Sequence, residues 1–166
     1  MALNVAQYEP VNRETVWAGL FAWLESQLLS TATPPGPFAS MGRKHKPPPE
    51  LVIADQPCLF QVAVKEVHIP QRVPGAPTKL VLKGFLIVYA FDNSPDEDIG
   101  SETVLPETTM NNLLLAIDQC FVPDSVLGKF TIGGLAQHCW IEGDADLDPG
   151  IFGPQCAAIL PLNILV

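Results

Sequence analysis

The sequence is short of charge. Asp, Glu, Lys and Arg make up 16% of its 166 residues, against about 25% in an ordinary soluble chain. A surface this bland on a small chain points to burial against other subunits. Positive charge is scarcest in the second half. Residues 84–166 carry one base, Lys129, and twelve acids, whereas residues 1–83 carry eight Lys or Arg and six Asp or Glu. The halves therefore net −11 and +2, which excludes strong binding of a polyanion by a single copy. No apolar run reaches the roughly 18 residues of a membrane span, so no membrane partner is expected. Met1-Ala2-Leu3-Asn4 has no base and no secretory apolar stretch behind it, the expectation for a chain assembled in the cytoplasm.

Catalytic signatures are missing as well. The four cysteines, Cys58, Cys120, Cys139 and Cys156, form no CxxC pair and stand at no zinc spacing with a histidine. Each lies in an apolar stretch, so buried reduced thiols are expected, in a reducing compartment. The three histidines are His45, His68 and His138. His138 and Cys139 are neighbours in a predicted strand, which turns them to opposite faces and rules out a dyad by adjacency. No Gly-x-Ser-x-Gly elbow exists, and Gly133-Gly134 lacks the Lys-Ser/Thr of a phosphate loop. Paired carboxylates occur only in polar loops, where nothing separates their pKa values. The expectation is a protein without catalysis and without a cofactor.

Apolar residues are plentiful. At 48% of the chain they suffice for a sizeable core, and the length fits one domain over 1–166. Residues 12–29 predict a helix: Asn12 caps it, Glu14 suits the positive end of its dipole, and Val16, Trp17, Leu20, Phe21, Leu24 and Leu28 recur at helical spacing. Trp23, at the margin of that stripe, is either core or a contact aromatic. Six prolines and two glycines then break residues 30–50, a proline-rich loop that admits neither helix nor central strand. Its basic run Arg43-Lys44-His45-Lys46 is either solvated or a contact with an acidic partner or nucleic acid. Three charges bind weakly in one copy and strongly when repeated around a ring.

Residues 51–69 predict a strand region in which Phe60, Val62 and Val64 alternate with Gln61, Ala63 and Lys65. Val73-Pro74-Gly75-Ala76 resembles a type II turn and leads into a second strand over 79–91. There Leu80, Leu82, Leu86 and Val88 line one face and Val81, Phe85, Ile87 and Tyr89 the other, the mark of a central strand or of one covered by a neighbouring subunit. Residues 92–105 read as an acidic loop. A second helix spans 106–122, with Met110, Leu113, Leu114, Ile117, Cys120 and Phe121 buried. Short strands are expected at 129–132 and 135–142, and a last one at 155–166, where Pro161 argues for an edge or a bulge. With no repeating strand–helix–strand unit, the order predicts an α+β fold: a mostly antiparallel sheet with two helices packed on one face, and long proline-rich loops.

Asp144, Asp146 and Asp148 alternate in the manner of calcium ligands. Counted from Asp144, however, the sixth and twelfth places hold Pro149 and Gln155 rather than Gly and Glu. A solvated loop is the plain reading. A small cytosolic binding module using Asp144–Asp148 for calcium is the alternative function.

Ile53-Ala54-Asp55-Gln56-Pro57-Cys58-Leu59-Phe60 resembles the D-Q-P-A-L-F segment at the first strand of bacteriophage tail terminator (tail completion) proteins, with Cys58 in place of the alanine. The helical run Met110 to Phe121, the segment Thr131 to Gly143 and the closing Ala157 to Val166 are similar to such proteins as well, and the resemblance covers most of the chain from Asn12 onward. It implies a structural virion protein at the head-proximal end of the tail. Copies would form a ring, hexameric in the family, that ends polymerisation of the tube and presents the head–tail joining surface. The implied partners are the chain itself, the tail tube protein and a head-completion or neck protein, with DNA only passing through the lumen. On this reading Trp23, Phe38, Met41 and Val73 are candidate interface anchors, Arg43, Lys44, Lys46 and Arg72 candidate interface charges, and Asp144, Asp146 and Asp148 acids of a lumen or loop.

Overall fold

The structure, a computed structural model, describes residues 11–70, 78–91, 106–148 and 155–166. Arg72, Val73 and the acidic stretch 92–105 lie outside the described residues.

Helix α1 spans Arg13–Leu28, and Asn12 caps it by accepting from the Thr15 N–H at 3.2 Å. Val16, Trp17, Leu20, Leu24 and Leu28 are buried; Phe21 is only half-buried. The chain then doubles back on the helix end. Ser30 N–H donates to the Phe38 carbonyl at 2.7 Å, and Phe38 N–H donates to the Leu28 carbonyl at 3.0 Å. Gly36 makes the close approach possible, since a Cβ there would fall 2.1 Å from the Leu28 carbonyl. This reversal drives Phe38 into the core, fully buried. Phe38 is therefore not an interface anchor: the proline-rich loop spends its one phenylalanine on its own domain.

β1 (Ser40–Gly42) follows as a short edge strand, and residues 48–50 and 53–55 form single 3-10 turns. β2 begins only at Cys58 and runs to Ile69, pairing parallel with β1 and antiparallel with β3 (Lys79–Phe91). α2 covers Pro106–Cys120, β4 is His138–Ile141, β5 is Asp146–Asp148 and β6 is Gln155–Leu165. The sheet order is β1-β2-β3-β6-β4, with β5 also pairing β6. The fold is thus α+β, with a mostly antiparallel mixed sheet.

Both helices lie on one face. Leu80, Leu82, Leu86, Val88 and Ala90 of β3 and Cys156, Ala158, Leu160, Leu162 and Ile164 of β6 join the buried residues of α1 and α2 in one cluster. On the other face Cys58, Phe60, Ile87 and Tyr89 form a smaller cluster, against which Leu51, Val62, Ala157 and Ile159 pack. No helix covers that face among the described residues.

Three expectations need correction. The alternation of Phe60, Val62 and Val64 does not persist, because a bulge between Ala63 and Lys65 shifts the register against β3. Val64 is left 54% exposed, and the phase of the strand reverses after it. Residues 129–132 form no strand. They enter a tight reversal in which Ile132, Gly133 and Gly134 all have positive φ (53°, 64° and 92°), and the following strand shrinks to 138–141. Finally, β6 is central rather than an edge, between β3 and the β4–β5 pair. Pro161 is tolerated because β4 ends opposite Leu162 and β5 resumes opposite Ile159. The turn between them needs no N–H from position 161, and Pro161 still accepts from Glu142 N–H at 3.2 Å.

Candidate functional site

The region where the sequence placed its basic run holds a cleft of about 320 Å³ beside β1. Ser40, Met41 and Gly42 form one wall. Leu51 and Phe60 supply apolar lining, and Arg43, Lys44, Lys46 and Asp55 its charges. Neighbouring Val52 and Ile53 are 58% and 60% exposed. The cleft lining thus mixes apolar side chains with three cationic ones and one carboxylate.

Its charges are not equivalent. Arg43 makes a bidentate pair with Glu14 at the start of α1, at 2.5 and 3.0 Å. The guanidinium's hydrogen bonds hold the Glu14 carboxyl below the usual carboxylate range, and Glu14 in turn raises Arg43. Arg43 is therefore engaged in tying the loop to the helix. No ion pair with a described residue holds Lys44 or Lys46. Because the folded value of Glu14 is lowered, the pair's contribution is present above the unfolded carboxylate value and is lost as pH falls through the folded one. Arg43→Gln should return Glu14 toward its ordinary value, read as an upward shift of its NMR titration midpoint; an unmoved midpoint would contradict the pairing.

Phe60, which lines the cleft, belongs to a small aromatic cluster with His45 and Tyr89. The ring nitrogen Nε2 of His45 shares a 2.9 Å hydrogen bond with the Tyr89 hydroxyl. The imidazole also stands edge-on to Phe60 and stacks on Tyr89. Burial raises the Tyr89 phenol, with the Cys58 thiol adding to it. The Asp55-Gln56-Pro57 phrase joins three segments here. The Ser40 hydroxyl donates to the Asp55 carbonyl at 2.7 Å, the Pro57 carbonyl accepts from Ala39 N–H at 2.8 Å, and the Gln56 and Gln155 amides pair at 2.9 and 3.2 Å. Its role in this chain is to fix the entry to β2 against β1 and β6.

The remaining named residues lie apart from the cleft. Trp23 is 37% exposed. Its indole N–H donates to the Cys120 carbonyl at 3.2 Å and its ring meets Phe130 at 5.7 Å, so it ties α1 to the end of α2 while keeping one face open. Met41 is half-buried and packs on the main core. Asp144, Asp146 and Asp148 are exposed at the far edge of the sheet, around the turn into β5. Among the described residues no group of three His, Cys, Asp or Glu is placed to hold a metal ion.

The four cysteines are buried and free of disulfides. Burial pushes the Cys58 and Cys120 thiols up to about 11, and Cys139 upward as well. None of these three is disposed to act as a thiolate near neutrality. Near pH 8, a thiol reagent such as Ellman's should titrate none of the four in the native protein and all four in denaturant; rapid reaction of a native thiol would contradict this packing.

Sequence reasoning missed an apolar tip. Val126 and Leu127 are 89% and 64% exposed, yet the turn that carries them is fixed, because Asp124 Oδ1 accepts from both their N–H groups at 2.8 and 2.9 Å. Those bonds, that from Leu127 foremost, lower the Asp124 carboxyl. The Asp-x-Val-Leu spacing ahead of Gly128 was the available signal.

No protein-family model matches this chain, and no curated protein matches it.

Proposed function

We propose that this chain is a ring-forming virion protein of the phage tail terminator type. Copies of it end the tail tube at its head-proximal end and offer the surface that joins the head. The observation that supports this most is the apolar exterior. Val52, Ile53, Val122, Val126, Leu127 and Leu147 are each more than half exposed on a chain with 16% charged residues. Scattered exposed apolar side chains need no explanation. Here several are held on ordered turns, where cover by other copies and by the tube would give them a purpose.

The α+β fold is in keeping with the family resemblance of the Asp55-Gln56-Pro57-x-Leu59-Phe60 phrase. A cationic cleft at one edge and an acidic turn at the other also suit a subunit that meets its neighbours at two different surfaces. The test is electron microscopy of particles assembled without this protein. Tails of uncontrolled length, or tails unjoined to filled heads, are expected. Normal joined particles would overturn the reading.

A further inference from the structure

We propose that the two edges of the sheet are the two halves of one self-contact: the β5 edge of each copy seats along β1 of the next, beside its cleft. The proposal rests on the ring reading and names the surfaces that close the ring.

β1 and the β4–β5 pair stand at opposite ends of a single sheet. Among the described residues neither β1 nor β5 has a strand on its outer side. The Pro57 carbonyl accepts from Ala39 N–H at 2.8 Å and, at 3.4 Å, from Ser40 N–H, the first residue of β1, so strand alternation from Ser40 turns the Met41 N–H and C=O toward the open edge. Such an edge is a template for another strand.

The side chains match in sign and in face. Lys44 and Lys46 line the cleft together with the β1 residues, and Asp144 and Asp146 are exposed just before and at the start of β5. Asp55 is the one carboxylate lining the cleft, so the lysines outnumber it. Asp146 pairs with Ile159, on the helix-free face where the cleft lies. Leu147, 54% exposed, pairs with Ala158 on the helix face. Met41 packs on the helix-face core, so the added edge would set Leu147 beside Met41 and Asp146 toward the lysines.

Pairing like edge with like would set lysine against lysine. The unlike pairing is head-to-tail, the kind that closes into rings. Five strands at about 4.8 Å give each copy roughly 24 Å of arc, so six copies close at about 45 Å across, wider than a DNA duplex. In this arrangement Asp144 and Asp146 lie in joints between subunits rather than in the lumen.

The test is native mass spectrometry of the full chain with exposed charges exchanged. Wild type should form closed oligomers that weaken with salt. Lys44→Glu/Lys46→Glu and Asp144→Lys/Asp146→Lys should each raise the dissociation constant about tenfold or more. The chain carrying all four exchanges, or an equal mixture of the two double variants, should regain oligomers. Circular dichroism of each variant checks that it is folded. Oligomers indifferent to both exchanges, or doubles that the fourfold exchange fails to rescue, would overturn the edge contact and leave the ring reading standing. A wild-type chain that stays monomeric at all concentrations would overturn the edge contact, and the particle imaging would then decide the ring reading on its own.

Discussion

Phe38→Ala should destabilise the isolated subunit by about 3–5 kcal/mol, the cost of emptying a buried aromatic site. Phe38 has no exposed surface and sits where the chain folds back on the end of α1, its N–H donating to Leu28 and its carbonyl accepting from Ser30. Those bonds fix the backbone around the residue, so the site cannot collapse easily and the cavity term is retained. The loss is a large part of the roughly 5–15 kcal/mol that holds a domain together. Urea unfolding of the monomer would measure it. If Phe38 served as a contact with another copy, the substitution would leave monomer stability unchanged and affect assembly alone.

Gly84→Ala should lower the melting temperature by about 5–10 °C, through overpacking at the upper end of the usual 1–3 kcal/mol. Gly84 lies in β3 opposite Ala63, beside the β2 bulge. A Cβ on it would stand 2.3 Å from the Val62 carbonyl oxygen and 2.8 Å from the Trp17 ring. The first of these is backbone and cannot swing aside. The Trp17 ring is buried in the main core and has little room to move. Gly128 provides the control, because it has φ of 62° but no atom within 4 Å of an added Cβ. Gly128→Ala should show only the left-handed penalty of about 1–2 kcal/mol. Gly84 itself has no positive φ, so a Gly84→Ala shift no larger than that of Gly128→Ala would contradict the close approach.

Much of the fold could be read from local pattern. The helices fall where Asn12, Pro106 and the apolar spacing put them, and β3 matches its predicted bounds because both its faces are apolar. What could not be read depends on tertiary geometry. The bulge at 63–65 lies against Gly84 of β3, a neighbour remote in sequence. Pro161 signals an edge by its missing N–H, yet that requirement is met locally by the break between β4 and β5. Phe38 looks like a loop residue until the reversal at Gly36 is seen.

The candidate site was legible only in part. The basic run announced Lys44 and Lys46 by composition. It could not announce that Glu14 engages Arg43, or that Leu51, Asp55 and Phe60 complete a cleft around the lysines, since these come from the segment that follows and from another strand. The acidic turn was visible as charge. Its position at the opposite edge of the same sheet was not, because strand order is a long-range property.

The role proposed for this chain is to cap a tube as a closed set of copies. The most direct measurement is cryo-electron microscopy of purified tail tubes from the same virion, mixed with the purified chain. The expected result is a single ring of copies at one end of each tube, and no further tube growth from that end. Tube ends that stay bare and continue to extend would contradict it.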